Sequence, residues 1–214
     1  MSYVMLELSE KTKVAQGSER EVHIVPGDKN LLVKVDLSYK PDEIHFFNKF
    51  FNSYFSSHNR LSKREIKEDM RARSNARSIG LASPIVPTRG LIQTSRGMGL
   101  LVDRIGPKTG GLAPTLSKLR QEKKITPKTL KQLNVFAKSV FELGVIIDDL
   151  QPENILWNKA TNTFLIADGF GDKNFIKLKT YISYFRNRNQ NKKFNKIAGK
   201  LSLKWQPKEQ RFSF

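Results

Sequence analysis

Between Ile146 and Asp172 the chain reads I-I-D-D-L-Q-P-E-N-I-L-W-N-K-A-T-N-T-F-L-I-A-D-G-F-G-D, which places Asp149 five residues before Asn154 and closes on Asp168. Two carboxylates and a carboxamide are hard oxygen donors. Mg²⁺ takes one or two carboxylates from a protein and fills its remaining positions with phosphates and water, so this donor set asks for a nucleotide. The residues between them dictate how the donors meet. A short apolar run follows Asn154, then a turn rich in Asn, Lys and Thr, then a second apolar run that ends at Asp168. Loop, strand, turn and strand form a hairpin. The loop before the first strand and the residue after the second come to the same end of it, which gathers Asp149, Asn154 and Asp168 there.

The rest of the chain supplies elements to carry this loop. Thr126 caps and Pro127 opens a helix whose apolar positions Leu130, Leu133, Phe136, Ala137, Val140 and Leu143 keep a helical period, and Gly144 is placed to end it just before the acidic stretch. Nearer the N-terminus, Lys13–Ala15, Arg20–Val25 and Leu31–Asp36 read as three strands joined at Gln16-Gly17-Ser18 and Pro26-Gly27-Asp28. Alternation in the third sets Leu31, Val33 and Val35 on one face and Leu32, Lys34 and Asp36 on the other. Phe46, Phe47, Phe50, Phe51, Tyr54 and Phe55 recur at helical spacing over residues 41–57, a stripe expected to pack on the sheet or against another copy. Arg60–Ala76 is a second, highly charged helix. Two further strands, around Leu91–Gln93 and Leu100–Val102, precede a G-P-K-T-G-G linker at 106–111. The expected fold is α+β with two lobes, residues 1–105 forming a sheet-bearing N-lobe and 106–214 a mostly helical C-lobe.

The D-L-Q-P-E-N-I-L and D-G-F-G motifs resemble the catalytic loop and metal-binding loop of protein kinases, and over most of its length the chain is similar to the small bacterial YrbL-like family of PhoP regulatory network proteins, with a reduced protein-kinase-like fold. The resemblance implies an ATP- and Mg²⁺-dependent phosphotransferase acting on a hydroxyl. Asp149 takes the place of the base, with Asn154 and Asp168 as metal ligands. Lys34 matches the phosphate-pairing lysine, and Glu65 the helix glutamate that partners it, with Glu68 the alternative and a solvated, salt-bridged face the plainer one. Gly17 matches the phosphate-facing turn, Val22 the roof over a purine, Leu32 and Lys34 the face beneath it, and the backbone of Asp103 to Ile105 the hinge that reads an adenine edge. Departures accompany these matches. Ile147 and Asp148 stand where kinases carry His and Arg, the Gly-rich loop keeps one glycine, and the phenylalanine after Asp168 has moved by one. Without that Arg, control by phosphorylation of an activation loop is not expected.

Composition narrows the classes. The 214 residues contain no cysteine, which excludes disulfides, thiolate zinc sites and a cysteine nucleophile. No apolar run reaches the roughly 18 residues of a membrane span, and the N-terminal residues lack the pattern of a signal peptide, so a cytoplasmic protein is expected, with peripheral attachment to the inner face of the membrane as a variant. The net charge is +18. From Lys173 onward there are twelve Lys or Arg against Glu209 alone, a net +11. Helices near 174–187 and 192–201 are expected there, with apolar faces closing the C-lobe and Arg186, Arg188, Lys192, Lys193, Lys196 and Lys200 directed outward toward an anionic membrane or lipopolysaccharide. Two other readings remain. One is a kinase-like nucleotide-binding module without transfer activity. The other is a nucleic-acid-binding protein, which rests on charge alone.

Overall fold

The computed structural model describes residues 5–37, 59–171 and 183–214, so the aromatic stripe expected at 41–57 lies outside the described residues. Two compact units emerge, one formed by Met1–Ile66 and Pro87–Arg104, the other by Lys67–Val86 and Ile105–Phe214. Where the sequence reading drew one boundary after residue 105, the chain passes between units after Ile66, Val86 and Arg104. The reason is packing: Ala72, Ala76 and Ile85 are buried in the second unit's core.

The first unit is an antiparallel sheet of β1 (Lys13–Gln16), β2 (Arg20–Val25), β3 (Asp28–Asp36), β4 (Thr88–Thr94) and β5 (Gly97–Asp103), in the order β1-β2-β3-β5-β4. Register decides which residues share a face. Val22 lies opposite Lys34 and Ile24 opposite Leu32, while on β5 Leu100 faces Lys34. Val22, Leu32 and Lys34 therefore point to the same side. The alternate residues Val25, Val33 and Val35 are buried with Leu8, and Leu31, Ile92 and Leu101 pack against them. Gly99 has a packing reason, since a Cβ there would sit 2.3 Å from Cγ2 of Val33.

Four helices occur among the described residues. α1 (Arg60–Ser78) begins in the first unit and continues into the second; α2 (Leu116–Gln121), α3 (Pro127–Glu142) and α4 (Ser183–Leu201) belong to the second. The architecture is α+β. α3 starts as its sequence dictates, with the Thr126 hydroxyl accepting from the Thr129 N–H and the Thr129 side chain reaching back to the Thr126 N–H, a reciprocal cap on two otherwise orphaned donors. Gly144, at φ +59°, follows its end in the left-handed conformation that favours glycine. Its buried stripe of Leu130, Leu133, Phe136, Ala137 and Val140 faces a core shared with Phe194, Ile197, Ala198 and Leu201 of α4.

The C-terminal region departs from expectation in two respects. One helix runs through residues 188–191, where a break between two helices was expected, because Gln190 and Phe194 both face inward on a single helical stripe. A hairpin then follows, β8 (Lys204–Gln206) against β9 (Arg211–Ser213). It brings Trp205 and Phe212 into the core. Trp205 stacks on Phe194 at 4.8 Å between ring centroids and meets Phe212 edge-on at 4.8 Å, adding about 1 kcal/mol per pair beyond area burial. Among the described residues no helix is long and apolar enough to cross a membrane.

Candidate functional site

In the second unit β6 (Ile155–Asn158) pairs with β7 (Thr163–Ile166) as an antiparallel hairpin, Ile155 opposite Ile166 and Asn158 opposite Thr163. Ile155 and Ile166 are fully buried, which anchors the end of the hairpin where the polar groups collect. Two neighbouring segments hold its edges. Pro84 and Val86 exchange backbone hydrogen bonds with Ile166, and the Trp157 N–H donates to the Pro114 carbonyl.

The loop before β6 folds against the residues after β7. The N–H groups of Asp148 and Asp149 both donate to the Gly169 carbonyl, at 2.8 and 2.9 Å, the Gly171 N–H donates to Ile146, and the Ala167 N–H donates to the Asn154 carbonyl. These bonds bring together Asp149, Asn154 and Asp168. They also account for the displaced phenylalanine. Gly169 has φ +78°, and a Cβ on it would lie 2.1 Å from the Asp149 carbonyl oxygen and 3.2 Å from Nδ2 of Asn154. Only glycine allows that approach. Phe170, one residue later, is then buried in the core rather than at the site.

Side-chain orientation follows from local hydrogen bonds. The Asp168 carboxylate accepts the Gly169 N–H at 2.7 Å through Oδ1. Asn154 donates through Nδ2 to the Asp149 carbonyl at 3.3 Å, which turns its Oδ1 to the opposite side. The Asp149 carboxylate accepts the Gln151 side-chain amide at 2.7 Å. Asp168 and Asn154 thus offer a carboxylate and a carboxamide oxygen from adjacent backbone positions. Among the described residues no group of three His, Cys, Asp or Glu is placed to hold a metal by itself. A carboxylate with a carboxamide is a donor set suited to Mg²⁺ that takes its other ligands from phosphate and water.

The approach to this loop is held by side chains from two helices. Asn75 and Arg71 of α1 donate to the carbonyls of Leu143 and Gly144, and Gln190 of α4 donates to that of Val145. Glu68 accepts the Ile146 N–H at 2.7 Å, and Lys193 of α4 donates to the Asp148 carbonyl. Backbone that leaves a helix without entering a strand has unpaired polar groups, and here side chains satisfy them. Arg186 lies across Gly144, where a Cβ would come within 2.7 Å of its Cζ. Burial lowers the pKa of its guanidinium, and the neighbouring positive charge of Arg71 lowers it further, against the opposing pull of Glu68.

The first unit contributes a buried charge cluster. Nζ of Lys34 is 3.3 Å from Oε2 of Glu65, and Oε1 of the same carboxylate pairs with the Arg20 guanidinium. Glu65 is 1% exposed, Lys34 and Arg20 6% each. The choice between the two glutamates is thereby decided: Glu65 meets Lys34, and Glu68 pairs with Arg71 at 2.9 Å while holding Ile146. Arg20 escaped the sequence reading, for at the start of a strand it looks like an ordinary exposed cation. Its place on the same face of β2 as Val22, two residues away, was the available signal.

Gly17 is in the exposed β1–β2 turn, where its N–H donates to the Arg20 carbonyl, and a Cβ would fit at 3.7 Å from that oxygen. At the expected hinge, the Asp103 N–H donates to the Pro87 carbonyl within the first unit, its carboxylate takes both Arg89 donors, and the Ile105 carbonyl accepts the Ala113 N–H within the second. The outward direction expected for the six C-terminal cations is corrected for two of them. Arg186 is partly buried against Gly144 and Lys193 reaches the Asp148 carbonyl, because both lie on the side of α4 that faces the loop. Lys200, though exposed, also turns to the loop and donates to the side chain of Gln151. Arg188, Lys192 and Lys196 are exposed.

The family model of PhoP regulatory network protein YrbL matches residues 6–202. No curated protein matches the chain. With the match extending over nearly its whole length, the chain belongs to the PhoP regulatory network protein YrbL family.

Proposed function

We propose that the protein is a Mg²⁺-dependent phosphotransferase of kinase-like design, using ATP and acting on a hydroxyl acceptor. The observation that carries this reading is the gathering of Asp149, Asn154 and Asp168 at one end of the β6–β7 hairpin, enforced by the bonds of Asp148 and Asp149 to Gly169. The Lys34–Glu65 pair supports it independently, since a lysine kept buried beside a carboxylate on a rigid strand is placed to pair with phosphate oxygens.

In this reading Asp168 and Asn154 would hold the metal, which would supply charge neutralisation to the phosphates when bound. Lys34 binds phosphate oxygens while Glu65 fixes its ammonium. Asp149 orients the acceptor hydroxyl through one carboxylate oxygen, the other being occupied by Gln151. Little covalent chemistry falls to the protein, so positioning and electrostatics carry the rate. Phosphate release or transfer from ATP is expected to require Mg²⁺ and to drop at least roughly a hundredfold in Asp149→Asn, the scale for loss of a positioned acid–base group. Turnover unchanged by that substitution would remove Asp149 from the mechanism.

A second reading, a nucleotide-binding module without transfer, is favoured by one feature. Arg20 shares the Glu65 carboxylate with Lys34, which divides the charge that would hold the lysine. Melting with and without ATP and Mg²⁺ separates the two. A nucleotide present at a hundred times its dissociation constant stabilises by about 2.7 kcal/mol. That shift without turnover identifies the module, and turnover excludes it.

A further inference from the structure

The basic C-terminal helix does more than close the core. Nζ of Lys200 donates to Oε1 of Gln151, and Nε2 of Gln151 donates to Oδ1 of Asp149 at 2.7 Å. Seven residues earlier on the same helix, two turns away, Lys193 donates to the Asp148 carbonyl. Two ammonium groups on one side of α4 thus meet the loop at Asp148 and at Gln151, on either side of Asp149 and Leu150. From these contacts we infer that Lys200 is a positioning residue for Asp149, acting through the Gln151 amide.

The physical basis is the polarity of a primary amide. Its oxygen only accepts and its nitrogen only donates, so a cation on the oxygen and a carboxylate on the nitrogen fix its orientation from both ends. Both bonds are charge-assisted, and each polarises the amide in the sense that strengthens the other. A neutral glutamine by itself would hold Asp149 loosely. With Lys200 attached it becomes a short relay that keeps one carboxylate oxygen occupied and leaves the other to meet a hydroxyl. Lys200 is exposed, so the relay is exposed to salt as well. At about 0.1 M ionic strength the screening length is about 10 Å, longer than the relay, and at about 1 M it is about 3 Å, shorter.

The inference rests on the phosphotransferase reading for its effect on rate, but not for the relay itself, and the test separates the two. Side-chain amide signals of Gln151, followed by nitrogen–proton NMR, are expected to shift in Lys200→Met and in Asp149→Asn, and to stay near the wild-type position in Lys200→Arg. Signals unmoved by Lys200→Met overturn the relay whatever the activity. For turnover of ATP, Lys200→Met is expected to lower kcat about tenfold with little change in KM for ATP, the scale of a mispositioned catalytic group. Gln151→Lys introduced into Lys200→Met is expected to recover most of that loss by bringing an ammonium directly to Asp149. The wild-type advantage over Lys200→Met should shrink in 1 M salt. A double variant no better than Lys200→Met alone, at unchanged melting temperature, overturns the positioning role. Wild-type protein without any turnover refutes the proposed function, while the Gln151 signals still decide the relay.

Discussion

Glu65 and Glu68 stand three residues apart on α1 and do different work. Glu65, in the first unit, is a buried carboxylate between two buried cations, Arg20 and Lys34. Glu68, in the second, pairs with the partly exposed Arg71 and spends an oxygen on the N–H of Ile146. In the first unit charge is compensated by charge. In the second a loop without regular structure has its backbone satisfied by side chains. A buried ion cluster is costly to break because the partners left behind cannot rehydrate. A side chain that caps backbone costs less to remove, because an unpaired neutral N–H carries a smaller desolvation penalty than a stranded charge.

The largest effect is therefore expected in the first unit. Glu65→Ala leaves Arg20 and Lys34 buried side by side, and unfolding in urea should register a loss of about 3–5 kcal/mol. Placing the same change in an Arg20→Met background removes one of the stranded cations. The cost of losing Glu65 should then fall by 1 kcal/mol or more on that estimate, and an unchanged cost would mean that Lys34 alone sets it.

Next comes Gly169→Ala, which forces a Cβ toward the Asp149 carbonyl at φ +78°. The combined strain and overpacking should lower stability by about 3 kcal/mol. If the loop yields instead of the hairpin, stability falls less, and the stabilisation by nucleotide that the proposed function predicts should be lost. Glu68→Gln keeps an acceptor for Ile146 but loses the charge facing Arg71, and about 1–2 kcal/mol is expected. Hydrogen exchange at the amide of Ile146 should distinguish it from Glu68→Ala, which removes the acceptor and should speed that exchange markedly.

The smallest effect tests an exposed helix cap in the second unit. Thr126→Ala removes the reciprocal cap of α3 and should cost about 1 kcal/mol by thermal melting. A loss as large as that of Glu65→Ala would show that α3 carries the stability of its unit, and that the contrast between the two glutamates is not the governing one.

Much of this was legible in the sequence because it rests on local rules. The start of α3 at Thr126-Pro127, the alternation that puts Lys34 and Leu32 on one face of β3, and the hairpin that joins Asn154 to Asp168 all follow from spacings within a few residues. A cap needs only the next turn of chain, and an alternating strand needs only its own pleat. The α+β class and the positions of the main strands along the chain came with them. Tertiary structure alone decided the rest. Whether Glu65 or Glu68 meets Lys34 depends on how α1 lies against β3, and residues three apart on a helix look equivalent to any periodic pattern. Arg20, Lys193 and Lys200 read as surface cations because a charge in a sequence does not reveal its counter-charge or the carbonyl it meets, residues 45 to 49 positions away. Gly169 makes the contrast within a single motif. Its place beside Asp168 is written in the sequence, but the need for glycine arises from the Asp149 carbonyl, which only the folded chain brings within reach.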